Sequence, residues 1–261
     1  MANFRRSGKS GNDWTETDLK AFNIAVVNED VATFFGNPDL PPVSTTVDPT
    51  ILNNSDLPPG TTTKSTRLFF QYLEDARVGS YVGAQRESAI IDFAAFLLGL
   101  LDYDEPDRII HERMEIVFEM CGTFVDAQPG VCIWNHSRLW EYHLLLQQGK
   151  CRWSCDDPEP ELIADAIAAF YRDRRIAGPS LRSKVYAGIT MLGTAPMFYK
   201  IPVTADLLNS VITSQFPLQQ TVVKKLIPPV PDMIKLWEEG MRHLESRRVI
   251  LQCLEAFKQF V

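Results

Sequence analysis

The sequence predicts an α/β protein with a central mixed β-sheet flanked by helices, and three observations predict it. First, apolar runs of strand length recur in the second half of the chain: VCIW at 131–134, LWEYHLLLQ at 139–147, KVYAGITML at 184–192 and MFYKIPV at 197–203. Second, two helical patterns lie among them. Residues 87–101 are strongly apolar, and 161–174 carries Leu162, Ala166, Ala169 and Phe170 on one face. Third, the order helix–strand–strand–strand–helix–strand suits a sheet covered on both faces, with the second helix as a right-handed crossover.

Taken in order, residues 1–13 are polar, Gly/Ser-containing and basic, and read as a disordered tail. A helix is expected from Trp14, with Thr15 or Thr17 as N-cap and Leu19 and Phe22 as its apolar residues. Residues 36–66, rich in Pro, Ser, Thr and Asn, read as a long extended loop wrapping the surface. A short amphipathic helix follows at 67–77. This division gives an N-terminal region, 1–80, and one α/β domain, 81–261. Within the domain the first strand is expected from Ile116, the second at 131–134 and the third at 139–147. Asp157-Pro158 and Pro160 mark the start of the 161–174 helix, because proline fits a first turn and acids suit a helix N-terminus. Thr204 caps a helix, 221–227 reads as a strand stopped by Pro228-Pro229, and 232–261 as two helical pieces, with Ile250, Cys253, Leu254 and Phe257 at helical spacing.

Composition narrows the function classes. With 45% hydrophobic and 23% charged residues, the chain of 261 residues is that of a globular protein. A net charge of −7 gives no overall attraction for polyphosphate, so a nucleic-acid partner would need a local basic patch. The most apolar run, AAFLLGLL at 94–101, is far shorter than the roughly 20 residues that span a bilayer. No apolar signal core follows the basic N-terminus. The five cysteines are odd in number and scattered, as reduced thiols would be. The expectation is an intracellular protein, cytoplasmic or nuclear, with no membrane partner.

The most informative segment is LLLQQGK at 144–150, followed by DPEPELIADAIAAF at 157–170. An apolar strand ends in Gln148-x-Lys150 and a helix follows. A metal-dependent nuclease of the PD-(D/E)xK type places an acid where Gln148 stands, and another at the tip of the preceding strand, where this chain has Gly130. The lysine is present and both carboxylates are absent. Mg²⁺ needs carboxylate ligands; a Gln oxygen is neutral and Gly has no side chain.

The stretch from about Glu87 to the C-terminus, about two thirds of the chain, resembles a large group of uncharacterised mushroom (basidiomycete) proteins. The segments that carry the resemblance are DYDEPDRII, DPEPELIADAIAAF, GITMLGTAPMFYKIPVT and RRVILQCLEAFKQFV. The group's usual middle reads like LLVQEDKR before DPEPQLIAEAIAAFQ, a pattern with the look of a restriction-endonuclease-like fold. What the resemblance implies is a nuclease-like core in which Glu87 is the helix acid, Gly130 replaces the catalytic Asp, Gln148 replaces the Glu and Lys150 matches the lysine. The motif is therefore degenerate, and no cofactor is expected. Mg²⁺ enters only in an alternative reading, an active nuclease whose carboxylates have migrated to Glu87, Asp126 or Glu141.

Other constellations weigh less. His136 and His143 with Cys151 and Cys155 lack paired zinc spacing, so no metal is expected there. Ser7-Gly8-Lys9-Ser10 lacks the upstream glycine and strand of a phosphate loop and reads as flexible tail. Asp102, Asp104, Glu105 and Asp107 read as a solvated loop. Trp134, Trp140, Tyr142 and Trp153 read first as core; as a second reading, Trp140, Tyr142 and Trp153 form a stacking platform for a base or sugar. Arg172, Arg174, Arg175, Arg182 and Lys184 form a basic patch, and Arg247-Arg248 a smaller one. With Lys150, Arg172, Arg174 and Arg175 are the candidate nucleic-acid contacts. The leading expectation is a protein that acts by binding, to a protein partner or to nucleic acid. A fruiting-body ligand-binding or defence protein is a further alternative.

Overall fold

The computed structural model describes residues 7–60, 62–79, 85–135, 141–149 and 157–261. A short helix α1 (Glu16–Ala21) leads into strand β1 (Ile24–Asn28), helix α2 (Val31–Phe35) and helix α3 (Pro49–Asn53). The long helices α4 (Lys64–Gly79) and α5 (Gln85–Leu100) follow. Then come β2 (Arg108–Glu112), a hairpin of β3 (Ile116–Met120) and β4 (Thr123–Ala127), β5 (Val131–Asn135) and β6 (Glu141–Gln148). Helix α6 (Glu159–Ala177) connects β6 to β7 (Ser183–Leu192), which turns into β8 (Ala195–Thr204). The chain ends with α7 (Ala205–Thr213), β9 (Thr221–Leu226), α8 (Met233–Glu239) and α9 (Leu244–Phe257).

The seven-stranded sheet has the order β1-β9-β8-β7-β6-β5-β2, and β3-β4 stands apart as a two-stranded sheet. The sheet is mixed: β6 and β7 run parallel, as do β1 and β9, and the other neighbours run antiparallel. The expected class, a central mixed sheet flanked by helices, is thus present. One detail differs. The strand at Ile116 exists but belongs to the separate hairpin; the sheet neighbour of β5 is β2, which the sequence reading passed over. β2 reads RIIHE, short and half polar, as an edge strand with one partner does.

Alternate residues of each strand face opposite helical layers. Val131, Ile133, Leu144, Leu146, Ala187, Ile189 and Phe198 join the core with α4, α5 and α9. Cys132, Trp134, Leu145, Tyr186, Tyr199 and Ile201 join the core with α6, α7 and the hairpin. Helix α6 lies close to the sheet because Ala164, Ala166, Ala168 and Ala169 are all buried. Gly188 on β7 leaves room for it: a Cβ there would lie 3.0 Å from Leu162 Cδ2. The helix stops at Gly178, whose φ of 83° favours glycine.

Two N-terminal expectations are corrected. Residues 7–13 pack rather than trail. Gly8 and Gly11 let the backbone approach the hairpin, where a Cβ would come within 2.8 Å of Met120 O and of Ala127 Cβ respectively. Ser10 Oγ donates to Asp126, and Lys9 pairs with Asp18 at 2.6 Å. The 36–66 segment contains α3, N-capped by Asp48 and anchored by Val47 and Ile51, both buried. No helix among the described residues is long and apolar enough to cross a membrane; 94–100 lies within α5 and Leu101 just past its end, with Ala94, Leu97, Leu98 and Leu101 in the core.

Candidate functional site

The register of β5 and β6 sets Val131 opposite Leu146 and thereby brings Gly130 beside the end of β6. The Gly130 N–H donates to Gln147 Oε1 at 3.1 Å. A Cβ on Gly130 would collide with Gln148 Oε1 and would stand 3.1 Å from Ile91 Cγ1 of α5. Positions 130 and 148, picked out by sequence, therefore meet on the α5 side of the sheet. Glu87 lies one turn before Ile91 on the same side of α5. Lys150 lies outside the described residues. Gln148 Oε1 is buried there with no hydrogen-bond partner among the described residues.

The neighbouring side chain, Gln147, points to the opposite face, as alternation requires. It is buried, and its Nε2 donates to Glu161 Oε2 at 2.9 Å. One turn further along α6 stands Asp165, fully buried, with neither carboxyl oxygen partnered among the described residues. Burial first, and the Glu161 charge second, push Asp165 well above the usual carboxylate range, which favours its neutral form. Sequence reading missed this pair, although acids at 161 and 165 share the buried face with Leu162 and Ala169. Their place on the α6 side keeps the sheet between them and Gln148, so they do not supply the carboxylates absent there.

Asp165 has a testable consequence. Its folded pKa is raised above the ordinary value near 3.8, so its favourable contribution is full below that value and is lost as pH rises toward the folded pKa. Asp165→Ala, in the best helix former, should stabilise the protein by about 1–3 kcal/mol at pH 7, the cost of an unsatisfied buried polar group. The gain should shrink toward pH 4. Urea unfolding of both proteins across this range checks it, and parallel profiles would refute the assignment.

Two of the three candidates for migrated carboxylates are placed elsewhere. Asp126 sits on the separate hairpin and accepts from Ser10 Oγ at 3.3 Å. Glu141 is at the far end of β6, roughly 23 Å from Gln148 at about 3.3 Å per residue, and pairs with Lys184 at 2.8 Å. Gly and Gln at the corner offer no anionic donor, so these two positions do not fit Mg²⁺. Among the described residues no three Asp, Glu, His or Cys side chains gather as metal ligands.

The aromatic and basic residues mostly serve the fold. Tyr142 is fully buried, so its ring offers no open face for stacking, which corrects the platform reading at this position. Arg172 Nη1 donates to the Tyr142 hydroxyl at 2.7 Å, and its guanidinium lies 5.1 Å over Trp134 and 5.3 Å over Tyr142. His111 packs edge-on against Trp134, 4.4 Å between ring centroids. Lys184 is held by Asp173 and Glu141, each at 2.8 Å, and donates to Tyr142 O. Two members of the expected basic patch are thus spent internally. Arg175 and Arg182 are exposed and Arg174 half-buried. Arg247, read from sequence as part of a surface patch, is fully buried. Burial, then Lys184, lowers the pKa of His143; burial alone lowers that of His111. Burial pushes the Cys132 and Cys253 thiols up to about 12, which leaves both protonated and unreactive. Trp140, Trp153, His136, Cys151 and Cys155 lie outside the described residues.

Comparison with family models and with curated proteins finds no match to this chain.

Proposed function

We propose that the protein is a catalytically degenerate, PD-(D/E)xK nuclease-like protein that acts by binding. The observation that carries this reading is the corner where Gly130 and Gln148 meet against α5. The topology supports a nuclease-like scaffold: α5, then β2, β5 and β6 in antiparallel sequence, then α6 crossing to the parallel β7, with the hairpin inserted after β2. In that scaffold the strand tips beside α5 are where metal-binding acids would stand. Here the two positions carry a glycine and an amide whose buried oxygen has no hydrogen-bond partner among the described residues. A protein partner suits the surface better than nucleic acid does. The net charge is −7, and Arg172 and Lys184 are engaged within the fold.

The test is an assay for cleavage of single- and double-stranded DNA and RNA with Mg²⁺ and Mn²⁺, alongside Lys150→Ala. The expected outcome is no cleavage by either protein, and no salt-sensitive retention of nucleic acid at physiological ionic strength. Cleavage that disappears in Lys150→Ala would replace this reading with an active nuclease.

A further inference from the structure

We propose that the chain forms a two-fold dimer in which the β1 edge pairs with the same edge of a second copy. β1 is outermost in the sheet, and β9 is its neighbour. Thr221 N–H donates to Asn23 O at 3.0 Å, and Glu29 N–H to Lys225 O at 2.8 Å. A parallel ladder uses the N–H and C=O of alternate residues, so Asn23, Ala25, Val27 and Glu29 face β9. The backbone groups of Ile24, Val26 and Asn28 point outward, and no hydrogen bond joins them to another described residue. Sheet edges are ordinarily blunted by charge, proline or a bulge. The opposite edge, β2, carries Arg108 and Glu112; β1 reads IAVVN and has no such residue.

Apolar surface continues from this edge. Val27 is 47% exposed, and Val222, which lies beside Ala25 on β9, 39%. Phe216 and Leu218 are exposed beside them, on a loop tied to the start of β1 by Asn23 Nδ2 donating to Pro217 O at 3.1 Å.

An open ladder is a template for another strand, and a second copy of β1 fits it in register. With the two-fold axis at Val26, antiparallel pairing sets Val26 against Val26 and Ile24 against Asn28. On the exposed face Val27 then meets Ala25 of the second copy, a large residue against a small one. The strand itself brings no charges together. Glu29 falls opposite Asn23 of the second copy and is already neutralised by Lys224 at 2.8 Å. Two seven-stranded sheets become one continuous sheet with closed symmetry.

Sedimentation velocity of the full chain up to about 0.1 mM, a range that registers even weak association, should show a concentration-dependent dimer. Val26→Pro removes only an outward N–H and leaves the ladder to β9 intact, as edge prolines do. Val27→Lys adds an edge cation. Each should weaken dimerisation at least about tenfold with an unchanged far-ultraviolet spectrum. If Val26→Pro fails to fold, Val27→Lys decides. A wild-type monomer at every concentration overturns the proposal, as does a dimer that neither substitution weakens.

Discussion

Arg247→Met should remove about 3–5 kcal/mol of stability, because it strips the donor from several buried carbonyls, each costing about 1–3 kcal/mol when left unpaired. The guanidinium is fully buried on α9 and donates to a ring of backbone carbonyls: Met241 O and Ile51 O at 2.5 Å, Asn54 O at 2.6 Å, Ser55 O at 3.3 Å and Arg242 O at 3.4 Å. Phe69 and Phe70 of α4 lie beneath it at 5.3 and 5.5 Å. Burial lowers its pKa to about 10, which leaves it charged at neutral pH and compensated chiefly by carbonyl dipoles. Those carbonyls belong to the end of α3 and to the turn before α9, so one side chain fastens the N-terminal wrap to the C-terminal helix. Methionine fills much of the volume and leaves several carbonyls unpaired. Lysine should recover little, because a point-like ammonium does not serve acceptors in several directions as the planar fork does. Thermal and urea unfolding measure the loss, and limited proteolysis within 36–60 should accelerate. A loss under about 1 kcal/mol, the net value of one ordinary hydrogen bond, would mean that the wrap is held by its apolar anchors instead.

The double variant Gly130→Asp/Gln148→Glu should gain Mg²⁺ or Mn²⁺ binding relative to the parent. Gly130 has no positive φ, so aspartate meets no backbone penalty there. Its Cβ collides only with the flexible end of residue 148 and presses on Ile91. Gly130→Asp alone should therefore cost about 1–3 kcal/mol, as overpacking does. In the double variant two adjacent carboxylates repel each other without a cation. A divalent ion relieves that repulsion and raises the melting temperature in proportion to its occupancy. A thermal shift with added Mn²⁺, absent from the parent and from each single variant, is the expected result. A folded double variant indifferent to Mn²⁺ would show that the two positions do not converge as a metal site requires.

Most of the sheet was legible in the sequence because its central strands are buried on both faces and read as continuous apolar runs. β7 and β8 are the clearest, at ten residues each. β1 and β2 were not, since edge strands of five residues carry few apolar positions and their partners are distant: β1 pairs with residues 221–225. The segment at 7–13 misled for a related reason. Its glycines look like freedom in one dimension and serve as close contacts in three. At the corner, the spacing of Gly130 and Gln148 located a true neighbourhood, because strand register carried it. Asp165 escaped notice because an acid in the early turns of a helix has an ordinary explanation in the helix dipole. Arg247 escaped because paired arginines read as surface, and a cage of carbonyls has no signature in side-chain sequence.

The seating of β1 beside β9 also bears on how the molecule is made. Residues 24–28 find their ladder partner nearly 200 positions later, and Ile51 O waits as long for Arg247. On a ribosome, the first strand emerges long before anything exists for it to join. The region from β2 to β8 has its neighbours close in sequence and is free to form first. β1 and the carbonyls at the end of α3 complete their contacts only when the last quarter of the chain has appeared. Contacts of such long reach slow folding. A chain halted before residue 221 should therefore expose an unsatisfied strand and an undocked wrap, the features that chaperones hold and proteases cut.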